Sequence, residues 1–344
     1  MRAAELPAGF DTARTARAIA EVQLPGGCIP HIGGGRADPW NHVEAAMALD
    51  VGGRHREAER AYLWLAAAQR ADGSWPMSFG HGAAEDETAD ANFCAYVATG
   101  LWHHFLATGD ETLLEETWPS LERAIEFVLT LQAPTGAVLW ARDPAGRAWP
   151  GALLTSSSSI HSSLRCARAV ARHLGYERPR WDMALARLGE AIRCRPDAFE
   201  DKDRYAMDWY YPVLGGAMTG EAARGRLLAR WEEFVVPGLG CRCVSDRPWV
   251  TAAETAELVI ALEAADLRAE AVELFGWIQR LREPDGSYWT GATFPEGELW
   301  PPERPTWTSG AVVLAADALW GEGLTAGLFR PGAEAEASPL EPVA

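Results

Sequence analysis

Residues 60–75, RAYLWLAAAQRADGSW, decide the fold because they join the end of an amphipathic helix to a tight turn. The helical pattern ends at Gln69, and the turn Asp72-Gly73-Ser74 leads directly to Trp75. Gln69 can hydrogen-bond the helix end, Gly73 permits the turn, and the ring of Trp75 can pack over the next hairpin. The stretch therefore predicts a helical hairpin whose turn is held by side chains.

Similar stretches recur with a period of roughly fifty residues, which is typical of closed or stacked arrays of equal units. In each copy a glycine follows a polar residue by four positions. The further copies are Gln132 with Gly136, Arg282 with Gly286, and a degenerate first copy, Gln23 with Gly27.

Two kinds of helix alternate along the chain. The amphipathic, charged kind is predicted near 11–22, 54–69, 111–131, 180–194, 221–235 and 267–281. The kind that is apolar nearly all round is predicted near 40–51, 88–107, 156–174, 208–218, 250–265 and 307–320. The first kind belongs at a surface and the second must be enclosed. With no convincing strand pattern, we predict an all-α (α/α)6 toroid, a six-hairpin barrel formed as a single domain by residues 1–320.

The connections between helices differ in length according to which end they join. Inner-to-outer links are as short as Gly52-Gly53, whereas outer-to-inner links run about ten to twenty-five residues, beyond the usual length of such links. All long loops therefore lie on one rim, where we expect the binding pocket. The segment 321–344 is rich in Gly, Pro, Ala and Glu, so we predict that it is disordered.

The composition narrows the classes of function. The 344 residues include 48 acidic and 31 basic ones, a formal charge of −17, which argues against nucleic acid and anionic membranes as partners. The chain has no long apolar run and no secretory signal, so we expect a cytoplasmic protein. Six cysteines without a CxxC pair fit reduced thiols. The 16 tryptophans are several times what an average composition gives.

The tryptophans fall into two groups by position. One lies in each of five outer helices and is expected to pack in the core: Trp64, Trp118, Trp181, Trp231 and Trp277. The others lie in long loops or first turns of inner helices: Trp40, Trp75, Trp140, Trp149, Trp209, Trp249, Trp289, Trp300 and Trp307. Rings around a pocket suit the apolar faces of sugars, and they also suit polyprenyl chains or carbocations.

Two carboxylates are the candidate catalytic residues. Asp38 opens the first inner helix, and Glu254 lies inside the otherwise apolar start of the fifth, where a carboxylate needs partners or a function. Glycoside hydrolysis requires such a pair, one acting as acid and the other as base or nucleophile. The alternative for Asp38 is a helix cap only. The sequence does not distinguish the acid from the base.

Further residues near the predicted rim are candidates for binding substrate. They are Trp40, His42, Asp86, Asn92, Asp208, Trp209, Tyr210, Tyr211, Arg247, Trp249, Trp289 and Trp307. For Asp86 and Asp208 we favour helix capping over a role in chemistry. His42 can equally face a neighbouring helix, and about half of the ring positions can be explained by rim packing.

A metal centre is not predicted, and no cofactor is either. Asp90 and Cys94 lie one turn apart, but His103 and His104 are two turns or more further along the same helix, too far to complete a zinc site. A buried, structural Cys94 is the expected alternative.

Two broad resemblances follow from these motifs. The Gln-containing repeats resemble those of squalene cyclases, oxidosqualene cyclases and protein prenyltransferase β subunits, which implies hairpin architecture rather than chemistry. The strings Thr108-Gly109-Asp110-Glu111 and Thr155-Ser156-Ser157-Ser158-Ser159 resemble glucoamylase-type six-hairpin glycosidases. That family carries two carboxylic acids on its rim loops. The matching places, 140–142 and 288–290, hold no glutamate, so any catalytic acids lie elsewhere.

A narrower resemblance rests on Asp38-Pro39-Trp40-Asn41-His42 and Tyr288-Trp289-Thr290-Gly291. These strings resemble the actinobacterial hydrolases of cytoplasmic methylated-mannose polysaccharides. The resemblance implies an endo-acting α-mannosidase on a 3-O-methylmannose polymer, with an oligosaccharide or polysaccharide as partner. Two alternatives stay open, an isoprenoid cyclase or prenyltransferase-like enzyme and a non-catalytic sugar-binding toroid. Whether the chain forms a homodimer is also open.

Overall fold

The computed structural model describes residues 6–80, 83–330 and 332, and helices dominate that part of the chain. The helices are α1 (Thr12–Val22), α2 (Pro39–Val51), α3 (His55–Ala67), α4 (Ala91–Ala95), α5 (Val97–Thr108), α6 (Glu111–Leu129), α7 (Leu154–His173), α8 (Pro179–Cys194), α9 (Ala206–Leu214), α10 (Gly220–Ala229), α11 (Trp231–Phe234), α12 (Ala252–Ala264), α13 (Arg268–Trp277) and α14 (Thr306–Trp320).

The helices form two concentric rings. The inner ring consists of α2, α4 with α5, α7, α9, α12 and α14, and the outer ring consists of α1, α3, α6, α8, α10 with α11, and α13. Each inner helix packs against the next one along the chain, and α14 packs against α2, which closes the ring. The predicted (α/α)6 toroid is confirmed.

Small residues allow the inner helices to approach closely. A Cβ atom on Gly100 of α5 would lie 2.5 Å from Cγ1 of Val43 and 2.7 Å from the ring of Tyr62. Gly310 of α14 would bring its Cβ within 3.2 Å of the carbonyl oxygen of Glu44. The inner ring is therefore packed to the density of a protein core, with little space for larger side chains.

A repeated glutamine links each early hairpin to the next outer helix. The Nε2 group of Gln69 donates hydrogen bonds to the carbonyl of Gly73 in its own turn (3.0 Å) and to that of Ser120 on α6 (2.8 Å). Gln23 does the same to Gly27 and Glu57. Gln132 does so to Gly136 and Ala184. These three bridges explain the repeat that the sequence shows.

The turn glycine of the repeat lies against the neighbouring outer helix. Gly73 has a φ of +88°, and a Cβ there would lie 2.2 Å from the carbonyl oxygen of Arg123 on α6. Trp75, which follows it, is 1% exposed, and its Nε1 donates to the carbonyl of Leu65 (2.7 Å). Trp75 is thus a core residue, and its assignment to the rim group is corrected.

Short strands, which the sequence did not predict, connect the long loops. They are β1 (Arg36–Ala37), β2 (Ser78–Gly80), β3 (Ala83–Asp86), β4 (Ala89–Asp90), β5 (Ala141–Arg142), β6 (Val235–Val236), β7 (Gly240–Arg242), β8 (Trp249–Thr251) and β9 (Gly291–Thr293). They form antiparallel sheets in the orders β1-β2-β3, β4-β5 and β6-β7-β8-β9. Strands of two to four residues are too short for an alternating pattern to reveal.

The start of the segment predicted to be disordered is folded. Leu328 and Phe329 are 3% and 7% exposed, and the guanidinium of Arg330 forms an ion pair with Glu263 on α12. The prediction is therefore corrected for residues 321–330, while 331 and 333–344 lie outside the described residues. None of the helices in the described residues is both long and apolar enough to span a membrane.

We predict that Gly73→Ala destabilises the protein more than Gly53→Ala. Both glycines have positive φ angles, but a Cβ on Gly53 has no neighbour within 4 Å. Gly53→Ala should cost about 1 kcal/mol of backbone strain, and Gly73→Ala roughly 2 kcal/mol more because α6 must move. Urea unfolding of the two variants measures the difference. Equal losses would contradict a role for the close contact with α6.

Candidate active site

Asp38 lies at the N-terminus of α2, on the rim that carries the long loops. Its Oδ1 accepts a hydrogen bond from the backbone N–H of Asn41 (2.9 Å), and its Oδ2 accepts one from Nδ2 of Asn41 (2.7 Å). Nε2 of His31 lies 2.7 Å from the same Oδ2. The carboxyl is 6% exposed. These contacts hold Asp38 in one orientation and suit an ionised carboxylate, which only accepts hydrogen bonds.

Glu254 lies in the first turn of α12 and is half-buried. The hydroxyl of Thr251, at the start of the helix, donates to its Oε2. The pKa of the buried Glu44 of α2 is raised by burial and further by the negative charges of Glu257, Asp38 and Glu254. Asp38 and Glu254, on different inner helices, are therefore both close enough to influence one buried group. The two candidate catalytic carboxylates thus lie on the same side of the inner ring as Glu44.

A second pair of carboxylates, Glu44 on α2 and Glu257 on α12, lies one to two helical turns beyond Asp38 and Glu254, and we call this pair the carboxylate floor. Glu257 lies one turn beyond Glu254 on α12, and its two oxygens accept hydrogen bonds from the hydroxyls of Tyr210 and Tyr211 (2.6 Å for Tyr211). Burial raises the pKa of Glu257 to about 7, although the two tyrosine hydrogen bonds lower it and the charge of Glu254 raises it further. Glu44 and Glu257 are 5% and 8% exposed. Two such neighbours cannot both ionise easily, so the floor retains a proton near neutral pH.

The start of α4 adds a third buried acid and an amide. Burial raises the pKa of Asp90 to about 7, and the backbone N–H groups of Phe93 and Asn92 lower it. Asn92 is 1% exposed, and its Oδ1 has no hydrogen-bond partner in the protein. A buried carbonyl without a donor is unfavourable unless a ligand or water supplies one. Asn92 thus remains a candidate for binding substrate.

Trp40 lies among the aromatic rings above the carboxylate floor. Its ring centroid is 5.8 Å from that of Phe93, 5.9 Å from that of Tyr96 and 6.0 Å from that of Tyr211, in tilted or edge-on arrangements. Because Tyr211 also binds Glu257, the aromatic cluster and the carboxylate pair are parts of one site. Such a site offers apolar ring faces next to acids, which suits a sugar.

The remaining rim candidates are spread over the loops around this centre. Trp249 on β8 is half-buried, and its Nε1 donates to the carbonyl of Trp300 (2.7 Å). Trp289 donates from Nε1 to Glu283 (2.6 Å), and Trp307 is half-buried in the first turn of α14. Arg247 lies in an exposed turn before β8. These residues thus lie in the segments that precede α12 and α14 or in the first turn of α14.

Two candidates point away from the centre. His42 is fully buried between α2 and α3, where Nδ1 accepts from the N–H of Ile29 (3.1 Å) and Nε2 therefore donates to the carbonyl of Ala61 (3.0 Å). Burial lowers the pKa of His42 to about 4, so it is neutral. Trp209 is also fully buried, stacks on Phe234 of the outer ring at 5.2 Å and has its Nε1 bonded to Arg226. Their assignment to substrate binding is corrected.

Two predicted acids have local structural partners. Asp208 accepts from the backbone N–H (3.2 Å) and the hydroxyl (2.5 Å) of Thr155, and so joins α9 to the start of α7. Asp86 is exposed on β3, where Oδ1 accepts from the N–H of Thr88 (2.9 Å), which lowers the pKa of Asp86. In both contacts a carboxylate oxygen accepts a backbone N–H, as in a helix cap. Asp208, however, binds the start of α7 rather than that of α9, and Asp86 lies on a strand.

The sequence missed the importance of Glu257 and His31 and did not assign a role to Glu44. A signal for Glu257 was present, because it follows Glu254 by three positions in an otherwise apolar helix and so lies on the same face. No comparable signal existed for His31, which comes from a loop and reaches Asp38 only in the folded chain.

Within the described residues there is no group of three or more His, Cys, Asp or Glu side chains able to hold a metal ion. Cys94 is fully buried, and burial raises the pKa of its thiol far above the usual range, which keeps it protonated. A protonated, enclosed thiol is a poor metal ligand and a poor nucleophile.

Comparisons with known proteins concern the family and the fold of the chain. No protein-family model matches the chain. A protein of Mycolicibacterium hassiacum, named MMP endo-(1,4)-3-O-methyl-alpha-D-mannosidase, is 53% identical over 317 residues, which cover 92% of this chain and 88% of that protein. A solved glycosidase in complex with glucose has a TM-score of 0.71 at 16% identity, covering 90% of this chain and 96% of its own. A D-mannose isomerase has a TM-score of 0.66 at 11% identity, covering 90% and 99%. The two structures share the fold.

We predict that Glu257→Gln stabilises the protein at alkaline pH. The folded-state pKa of Glu257, about 7, lies above the ordinary 4.5, so its contribution is favourable below pH 4.5 and is lost as the pH rises through 7. At pH 8 the variant should gain roughly 3 kcal/mol over the wild type, and at pH 4.5 almost nothing. Urea unfolding at both pH values measures the gain.

The control for this prediction is Glu115→Gln, which removes an exposed carboxyl on the outer helix α6. Its effect on stability should be small and nearly independent of pH. A gain at pH 8 no larger for Glu257→Gln than for Glu115→Gln would show that the floor carboxyl is not held against its ionisation.

Proposed function

Because the chain belongs to the family of the MMP endo-(1,4)-3-O-methyl-α-D-mannosidase, we propose that it hydrolyses internal α-(1→4) bonds of a 3-O-methylmannose polysaccharide. The identity over nearly the whole chain is the observation that carries this assignment. The resemblance noted in the short strings around Trp40 and Trp289 is thereby confirmed. The chain is a glycoside hydrolase, and its methylated substrate and internal cleavage are proposed from the name of that relative.

The chemistry requires one carboxyl that donates a proton to the leaving oxygen and one carboxylate that activates water or attacks the sugar. We assign the second role to Asp38, whose two oxygens already accept hydrogen bonds as those of an ionised group do. Glu254 then acts as the acid. It is half-buried in the first turn of α12, where the hydroxyl of Thr251 holds one of its oxygens.

The aromatic residues of the site support a methylated sugar. Trp40, which is half-buried, packs with Phe93 and with the buried Tyr96 and Tyr211 near the carboxylates. Each O-methyl group adds apolar surface, and its burial is worth about 0.8 kcal/mol. A site that combines rings with acids thus favours a methylated chain over an unmethylated one.

The two alternatives from the sequence are less well supported. The glutamine repeat that resembles those of isoprenoid cyclases is used here to join hairpins, so it carries no argument for their chemistry. A purely sugar-binding toroid has no need for Asp38, Glu44, Glu254 and Glu257 around one space, because buried carboxyls are unfavourable without a function.

We predict that Asp38→Asn and Glu254→Gln each lower hydrolysis of the methylated polymer by at least about a thousandfold and leave its binding nearly unchanged. Mass spectrometry of the products measures hydrolysis, and calorimetric titration measures binding. The matched controls are Asp110→Asn at the N-cap of the outer helix α6 and Glu115→Gln in that helix, and both should retain full activity.

The two roles are separated by a substrate whose leaving group needs no proton. On a 3-O-methylated α-manno-oligosaccharyl fluoride, Glu254→Gln should regain most of its activity, whereas Asp38→Asn should not. If the fluoride rescues Asp38→Asn instead, the two assignments are reversed. If both variants retain full activity on the polymer, the catalytic pair lies elsewhere even though the reaction is the same.

A further inference from the structure

Two hairpins on the rim, in the third and sixth repeats, have the same backbone hydrogen bonds. In the third, the N–H of Trp149 donates to the carbonyl of Ala141 (2.9 Å). In the sixth, the N–H of Trp300 donates to the carbonyl of Gly291 (3.0 Å). The bridges at the base also match, pairing Gln132 with Val138 and Arg282 with Tyr288. Trp149 and Trp300 therefore occupy equivalent positions, and a proline follows each of them.

These two residues are the exposed tryptophans of the described chain, at 45% and 53%. Each has a second indole beside it. The ring centroids of Trp149 and Trp140 are 5.3 Å apart, and those of Trp300 and Trp249 are 4.9 Å apart. The partner ring limits the motion of the exposed one. Each pair of indoles thus forms an apolar patch on the rim, and the two patches lie at equivalent places in two repeats.

The topology places the two pairs on opposite sides of the opening. Consecutive inner helices are neighbours around the ring, so the third, α7, is opposite the sixth, α14. At usual packing distances, opposite inner helices are about 16 to 20 Å apart, which exceeds the length of a disaccharide. Asp38 is on the first inner helix and Glu254 on the fifth. A straight line from the third hairpin to the sixth therefore passes between the two carboxylates.

We propose that Trp149 and Trp300 are sugar-binding platforms at the two ends of a groove that crosses the rim. The occupant is a neutral, 3-O-methylated mannose chain, so this inference rests on the proposed function. Its C–H and methyl faces would stack on the indoles, and no charged partner would be required. Trp300 lies near the helices that carry Asp38 and Glu254, whereas Trp149 lies across the opening. The groove therefore extends further from the scissile bond toward Trp149.

The test is a series of 3-O-methylated α-(1→4)-manno-oligosaccharides of increasing length, with the full chain as enzyme. Trp149→Ala and Trp300→Ala should each raise KM for the longest chains about tenfold, with little change in kcat. For the shortest cleaved chain, KM should stay at the wild-type value in Trp149→Ala. The effect of Trp300→Ala should appear at a shorter chain length than that of Trp149→Ala.

Conservative and remote variants serve as controls. Trp149→Phe and Trp300→Phe keep a ring and should recover most of the affinity for long chains. Leu228→Ala removes an exposed apolar side chain from the outer helix α10 and should leave KM unchanged at every length. A merely structural role would alter short and long substrates equally and would not follow the length series.

Three outcomes would overturn the inference. If both alanine variants keep the wild-type KM for long chains, the platforms do not bind sugar. The proposed function stands in that case if the polymer is still cleaved. A change in molar mass by light scattering with KM unchanged means that the indoles contact a second copy of the chain. If the wild type does not cleave the polymer, the proposed function fails. Calorimetric titration of the polymer into the wild type and into Trp149→Ala then tests the platforms separately. Equal affinities of the two proteins for the polymer would reject the platforms.

Discussion

The glutamine hydrogen bonds between one hairpin turn and the next outer helix are the constraint on which the rest of the molecule depends. At Gln69 a single amide group satisfies two backbone carbonyls, one in its own turn and one on α6. The turn glycine then allows direct contact between backbones. Repeating this contact sets a similar angular step between neighbouring hairpins, so the ring can close. Because outer and inner helices alternate along the chain, all inner helices begin at the same rim, and side chains in their first turns converge.

This convergence explains how residues far apart in sequence form one site. Asp38 and Asp90 cap their helices in the same way, with Oδ1 accepting the N–H three positions later. A cap alone would use one oxygen, but Oδ2 of Asp38 is also bonded, by Asn41. Below it, Glu44 and Glu257 share a floor whose ionisation is opposed by burial and by neighbouring charge. The floor therefore retains a proton near neutral pH beside the two carboxylates that are assigned to catalysis.

The periodic features of the sequence predicted the fold, because helix period, loop length and the repeat all report local contacts. The site was less accessible for a physical reason. His42 and Trp209 lie near the predicted rim, but a helix turns 100° per residue, and both side chains face the outer ring. The position of a residue along its helix indicates how far it lies from the rim. The direction of its side chain depends on how that helix is rotated about its axis, which the sequence did not reveal. Glu257 could have been found by its spacing from Glu254; His31 could not, since its loop has no period.

In a repeat protein, features shared by several copies usually serve the architecture, and the features that differ serve function. The glutamine and glycine positions follow that rule, since their shared contacts are buried or join backbones. Trp149 and Trp300 do not, because they are shared between two repeats and yet exposed. Packing against Trp140 and Trp249 still leaves about half of each residue exposed, so architecture alone does not account for both. A long substrate provides the missing reason, since a chain that crosses a ring meets it at two opposite hairpins, and both must offer it a similar surface.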